Sequence, residues 1–242
     1  MIDRERQPRP VGREPDDHVR GGMRDVMEWN EEMVRRYDIE RFYERSHPLI
    51  RWVESRRLKA IVALARPAGH AASVLEVGCG AGHVLERFEQ WRRTGVDLSV
   101  RMLQKTRRRL GGSVRLVHAT ADRLPFPDSC FDIVVCTEVL EHTADPGGVV
   151  CELARVVSVS GKVVVSIPNE RNVDRAKRAL NSIPGLRPIL RNLAQTDNEW
   201  HLHRMDLASL RTLTRGVARI ERVRAVPYRL LPLRYVALLR CL

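Results

Sequence analysis

The stretch Val74-Leu75-Glu76-Val77-Gly78-Cys79-Gly80-Ala81-Gly82-His83-Val84 decides the fold. An apolar run carries one acidic residue, three glycines alternate after it, and a helical pattern begins beyond them. This reads as a strand, a tight turn and a helix start. Glycines let a backbone come close to a ligand, because no Cβ stands in the way, and they allow φ > 0. A helix beginning there offers unpaired N–H groups and partial positive charge to a carboxylate or phosphate.

Outward from this turn the chain alternates strand with helix. Strands are expected at Ser73–Val77, Arg93–Val96, Val114–His118, Phe131–Cys136 and Lys162–Ile167. Helices are expected at His83–Gln90, at Ser99–Leu110 with Ser99 as N-cap and Gly111-Gly112 as the stop, and from Pro146 to Val157 behind the cap Asp145. The alternation predicts a parallel sheet with right-handed crossovers. Pro168 to Gln195 reads as an insertion. Asp206 caps a helix to Thr214, and Ile220–Val226 and Tyr235–Cys241 read as two final strands. Leu230–Leu242 also fits a basic amphipathic segment at a membrane surface; the strand is preferred.

Upstream, residues 1–22 are charged, carry Pro8, Pro10 and Pro15, and read as a disordered leader. Residues 23–68 form a helical extension. Within it Ile50, Val53, Ile61 and Leu64 share a helix face that Arg57 interrupts. These helices form either a lid over the site or a layer packed on the sheet, and Trp29, Tyr37, Phe42, Tyr43 and Trp52 could meet a substrate or the core. Residues 69–242 form the ligand-binding domain.

The bulk properties narrow the function. The 242 residues, 43% of them hydrophobic, suffice for one α/β domain. No apolar run reaches the length of a membrane span. The five cysteines are scattered without a Cys-x-x-Cys pair, as in a reduced, cytoplasmic protein. Net charge is +12, nearly all of it from arginine. That charge suits an anionic partner, but it is spread and not interleaved with aromatics, which favours a solvated basic surface over nucleic-acid binding. Peripheral contact with a membrane stays open.

In an open α/β sheet the ligand lies beyond the carboxyl ends of the strands. Asp97 ends the second strand about twenty residues past the first glycine, where an acidic side chain meets a ribose diol. The dinucleotide pattern G-x-G-x-x-G is not met, because Gly82 comes one residue early. Glu76, just before the glycines, is awkward beside a pyrophosphate and suits an ammonium group. An amino-acid-bearing nucleoside is therefore favoured over NAD.

Taken in order, Glu76-x-Gly78-x-Gly80-x-Gly82, Asp97-Leu98-Ser99, Leu124-Pro125-Phe126, Phe131-Asp132-Ile133-Val134 and Glu138-Val139-Leu140-Glu141-His142 resemble the class I S-adenosylmethionine-dependent methyltransferases. The likeness is greatest to those acting on small molecules, quinones, lipids and sugars, and it spans Ser73–Val226. It implies an α/β Rossmann-like fold: a seven-stranded, mostly parallel sheet with helices on both faces and an N-terminal helical extension. It implies S-adenosylmethionine as cofactor, with Glu76, Gly78, Cys79, Gly80 and Gly82 at the methionine part. Asp97 would meet the ribose, Leu98 the adenine, and Thr120, Ala121 and Asp122 the adenine edge. Relatives often carry Gly-Asp-Ala-Glu where this chain has Ala119-Thr120-Ala121-Asp122, so Thr120 takes the usual acidic position.

Glu138, Glu141 and His142, at offsets of three and four, would share one face of a helical turn at the ligand edge. They could bind a divalent metal or supply a base. Small-RNA 3′-terminal ribose methyltransferases and quinone O-methyltransferases are similar here. That likeness implies magnesium held by Glu138, Glu141, His142 and the later His201. Pro168-Asn169-Glu170 also resembles the RNA enzymes, but their longer aromatic-rich histidine segment is absent. The expected function is methyl transfer to a small-molecule or lipid-like acceptor, at oxygen, with His142, Glu138 or His201 as base. RNA ribose methylation and a non-catalytic cofactor-binding role are the alternatives.

Overall fold

A computed structural model of the chain describes residues 23–36, 48–66, 71–181 and 201–242. The expected leader, Tyr37, Phe42 and Tyr43, and the later part of the Pro168–Gln195 insertion lie outside the described residues. The elements are helices α1 (Met23–Arg36) and α2 (Pro48–Ala65), then strand β1 (Ser73–Val77). They continue with β2 (Arg92–Asp97), α3 (Val100–Leu110), β3 (Val114–His118), β4 (Phe131–Thr137) and α4 (Pro146–Val156). The chain closes with β5 (Val157–Pro168), α5 (Glu170–Asn181), α6 (Leu207–Leu213), β6 (Ala218–Pro227) and β7 (Pro232–Cys241).

The sheet order is β3-β2-β1-β4-β5-β7-β6. β1 to β5 run parallel, β7 is antiparallel to β5, and β6 pairs antiparallel with β7. The chain reverses between β1, which runs out to β3, and β4, which lies on the other side of β1. The crevice at that switch is where such sheets bind ligands.

Alternation along the strands builds two cores. On one face Leu75, Val77, Val134, Cys136, Val163 and Val165 pack with Val149, Val150 and Leu153 of α4 and Leu210 of α6. On the other, Val74, Ile133, Val135, Val164, Val236 and Leu238 pack with Val53, Ile61 and Leu64 of α2. The two N-terminal helices divide the roles expected of them. α2 is the layer on the sheet, crossing β5, β7 and β6. α1 lies at the glycine turn, where Val34 packs with Ala81 and Met102.

The caps are as the residue types dictate. The Ser99 side chain accepts the Met102 N–H, Asp145 accepts from Gly148, and Asp206 accepts from Ser209. The helix expected over His83–Gln90 is corrected to one short turn of tight helix, Leu85–Phe88. The glycine loop uses the first half of the crossover, and β2 starts at Arg92, so no room remains for a longer helix. No helix among the described residues is long and apolar enough to cross a membrane.

Candidate functional site

The glycine turn is held from behind. Gly78, Gly80 and Gly82 all have positive φ. A Cβ on Gly78 would meet Val139 Cγ2 at 2.3 Å, so the turn is seated directly against the segment that follows β4. A Cβ on Gly80 would instead enter open space, leaving that backbone bare for a ligand. Thr106 Oγ1 donates to the Gly80 carbonyl at 2.6 Å, and Arg109 Nε donates to the Ala81 carbonyl at 3.0 Å. Cys79 is buried within the turn, and burial pushes its thiol well up, with Asp97 and Glu76 adding to the effect.

Glu76 is 2% exposed, and its Oε2 accepts the Leu85 N–H at 3.0 Å. Burial pushes its carboxyl well up. With Leu85–Phe88 so short and its first N–H already taken by Glu76, the turn lacks the open helix N-terminus that a phosphate would need.

Asp97 Oδ2 accepts the Gly80 N–H at 2.7 Å, and Oδ1 accepts the Ser99 N–H at 2.8 Å. Each carboxylate oxygen has a second lone pair, so the group can still accept from a diol. Burial raises its carboxyl, the two backbone donors pull it down, and Glu31 of α1 adds a further upward push. Leu98 is half-buried, and its carbonyl is bonded by His118 Nε2 at 2.8 Å. Across from it, Thr120 and Ala121 are half-buried and Asp122 is exposed. The Ala119 N–H donates to the Asp97 carbonyl, which ties this loop to the end of β2.

The second constellation divides. Glu141, His142 and His201 converge, with one ligand atom from each lying within 4.8 Å of the others. The His142 and His201 rings meet edge-on at 4.9 Å. His201 is brought in by its neighbours: the Leu202 and His203 N–H groups both donate to the Glu141 carbonyl, at 2.7 and 3.2 Å. His201 Nδ1 is 2.7 Å from Glu170 Oε1, and the Arg204 guanidinium lies 3.2 Å from the other Glu170 oxygen. Glu170 is nearly fully buried at the start of α5. A carboxylate on Nδ1 fixes the imidazole and leaves Nε2 for other work. Burial, then the charge of Glu138, drives the Glu141 carboxyl well up.

Glu138 stands apart from that group. Its φ of 54° breaks the helical turn expected from Glu138 to His142. Its Oε1 accepts from Ser166 Oγ at 2.8 Å and its Oε2 from Arg234 Nε at 3.0 Å. Arg234 also reaches Glu54 at 3.3 Å, and Glu54 pairs with Arg57 at 2.8 Å. Arg57, which interrupts the apolar face of α2, is 3% exposed and belongs to this network.

Three partners were not legible beforehand: Glu170, Ser166 and Arg234. Glu170 had a faint signal in Pro168-Asn169-Glu170. Arg234 had none, since it meets Glu138 from 96 residues away.

A family model described as a methyltransferase domain matches residues 75–165. The ubiquinone biosynthesis O-methyltransferase of Thiobacillus denitrificans is 35% identical over 158 residues, which is 62% of this chain and 62% of that one. The protein of that name from Aromatoleum aromaticum is 35% identical over 142 residues, covering 56% and 59%. The chain thus matches less than two thirds of the length of these curated relatives. A solved Pyrococcus horikoshii protein superposes with a TM-score of 0.64 at 18% identity, over 87% of this chain and 99% of that one, a likeness of fold alone. The sheet order, the glycine turn with Asp97 and the matched domain agree: the chain is similar to the class I S-adenosylmethionine-dependent methyltransferases, with residues 75–165 matching a methyltransferase domain.

Proposed function

We propose that this chain is a cytoplasmic enzyme that transfers a methyl group from S-adenosylmethionine to a hydroxyl of a small-molecule or lipid-like acceptor. One observation carries the reading. The Glu170–His201–His142 array stands next to Glu141, on the segment whose Val139 presses against Gly78 of the turn. The O-methyltransferase names of the two curated relatives support oxygen as the accepting atom.

The pocket fits the cofactor in three respects. Gly80 leaves its backbone open, Asp97 keeps lone pairs for ribose hydroxyls, and Glu76 with the glycine turn suits a methionine ammonium group. Leu98 would lie against the adenine, with Thr120, the Ala121 N–H and Asp122 at its edge. Bound S-adenosylmethionine supplies a methyl group already activated on sulfur. The protein must then position the acceptor in line and take its proton. His201, oriented by Glu170, is the base we favour, and His142 shares the site. Both carboxylate oxygens of Glu138 are bonded, to Ser166 and Arg234, which sets it behind the two histidines as a candidate base.

A divalent cation is a further part of this reading. Glu141 Oε2 is buried without a hydrogen-bond partner among the described residues, as an unfilled ligand would be. Glu141, His142 and His201 would hold the ion; with His201 Nε2 then a ligand and not the base, the ion would take over its part by lowering the pKa of an acceptor hydroxyl. Two imidazoles and one carboxylate suit zinc or another transition ion better than magnesium, which prefers oxygen.

Calorimetric titration with S-adenosylhomocysteine tests the cofactor site. Wild type should bind, and Asp97→Ala should bind at least about tenfold more weakly. Absence of wild-type binding overturns the reading. Incubation with labelled cofactor and a panel of phenols, quinols and RNA 3′ ends tests the acceptor, and transfer to RNA alone would replace the small-molecule assignment. Activity lost to a chelator and restored by zinc or manganese rather than magnesium would support the cation.

A further inference from the structure

The β6–β7 hairpin and the outer face of α2 form one surface that the methyl-transfer site does not use. At the tip, Tyr228, Leu230 and Leu231 are exposed, Leu230 to 98%. Leu49 and Trp52 of α2 are exposed beside them, and Trp52 packs on Tyr228 at a centroid distance of 5.4 Å. This apolar ridge is rimmed by exposed cations: Arg51, Arg56 and Lys59 on α2, Arg222 and Arg224 on β6, and Arg229 at the tip.

The charge balance is one-sided. α2 and the hairpin together carry ten basic residues and two acids. Glu54 does not offset the outer charge, and Glu221 offsets only part of it. Glu54 is buried against Arg57 and Arg234, and Glu221 faces Arg240 at 3.4 Å and Arg222 at 4.0 Å. The surface therefore presents aliphatic and aromatic side chains within a positive field.

The tip also has a defined place. Pro168, the last residue of β5, pairs with Arg234, and Asn172 Nδ2 donates to the Pro232 carbonyl at 3.0 Å. The hairpin therefore projects beyond the carboxyl edge of the sheet, the edge that carries Glu138 to His142 and His201.

From this juxtaposition we propose that the hairpin tip and α2 dock the protein on a membrane leaflet bearing anionic headgroups. Leucines at the tip enter the acyl boundary, the Trp52–Tyr228 pair sits at headgroup depth, and the arginines meet lipid phosphates. Nucleic acid fits less well. Trp52 and Tyr228 are spent on each other instead of standing free as stacking platforms, and bare leucines gain little from bases. The inference deepens the lipid-like acceptor reading, since docking would bring the acceptor edge to the bilayer, but it is measured without any acceptor.

Flotation of the full chain with phosphatidylcholine vesicles, with and without about one-third phosphatidylglycerol, tests it. Wild type should float with the anionic vesicles only, and added salt should weaken this. Leu230→Glu combined with Leu231→Glu should lower binding at least about tenfold. Arg224→Gln combined with Arg229→Gln should weaken binding and flatten its salt dependence. Both variants should keep wild-type affinity for S-adenosylhomocysteine and wild-type transfer to a water-soluble phenol, so a failure here is separable from failure of the proposed activity. The inference is overturned by vesicle binding that the leucine variant leaves unchanged, by no vesicle binding in wild type, by binding to RNA but not vesicles, or by self-association that the leucine variant abolishes.

Discussion

At Gly78 two constraints coincide. Its φ is +71°, and any Cβ would sit 2.3 Å from Val139 Cγ2. Gly78→Ala should therefore cost about 3 kcal/mol, from the left-handed backbone and the displaced Val139 together. Denaturant unfolding checks this; a loss below about 1 kcal/mol would mean that Val139 moves freely. Glu152 illustrates a charge that works at the same scale. Its carboxylate accepts from Arg155 Nε and Nη2 and from the Leu124 N–H, and Arg155 goes on to the Leu124 and Phe126 carbonyls. The Arg155 hydrogen bonds, ahead of a smaller contribution from Leu124, hold the Glu152 carboxyl below the usual carboxylate range. Such a group stabilises the fold at neutral pH, and its contribution fades as pH falls through the folded-state value. Glu152→Gln should lower stability at pH 7 by about 1 kcal/mol, with a smaller loss on acidification than wild type. Thermal melts from pH 7 to pH 3 read both effects.

Between elements, the decisive contacts run through charge as well as packing. Arg234 on β7 bonds Glu138 after β4 and Glu54 on α2, while Arg57 on α2 reaches Ser166 on β5. Arg234→Met would strip a cation from both Glu138 and Glu54. With Arg234 partly exposed, the expected loss is about 2 kcal/mol, together with a fall in kcat larger than any change in cofactor affinity. Equal activity in wild type and variant would reduce the network to scaffolding. These contacts also show where sequence reading stops. The strand–helix alternation, the caps at Ser99, Asp145 and Asp206, and the order of motifs follow local rules, so Asp97 and the glycines could be found one residue at a time. Arg57 could be seen as an anomaly on an apolar face, but not explained, because it reaches Ser166 on β5 and shares Glu54 with Arg234 on β7. Glu138 seemed to share a helical face with Glu141 and His142, and a single left-handed backbone angle removed it. The length of the turn at Leu85–Phe88 was set by the start of β2, which no local pattern announces.

Across the whole molecule, the two N-terminal helices should fail differently when removed. α2 contributes Val53, Ile61 and Leu64 to a core shared with five strands, whereas α1 meets the glycine turn through Val34. A chain beginning at Ser46 should stay folded yet bind S-adenosylhomocysteine about tenfold more weakly, because Val34 and its neighbours no longer cover the turn. A chain beginning at Ala71 should not fold. Circular dichroism with calorimetry separates the cases, and equal affinity in the first chain would make α1 irrelevant to the cofactor.

The contact between Glu170 and His201 joins the first residue of α5 to a residue 31 positions further along the chain. It works as a clasp between two distant stretches of chain. Whatever sequence lies between its ends, the His201 imidazole keeps its orientation as long as the clasp holds. In the proposed reaction such an arrangement would separate two evolutionary problems: sequence between Glu170 and His201 could change while the imidazole assigned to the proton stays registered with the glycine turn. Descendants of one catalytic centre could in this way diverge in substrate without first losing their chemistry.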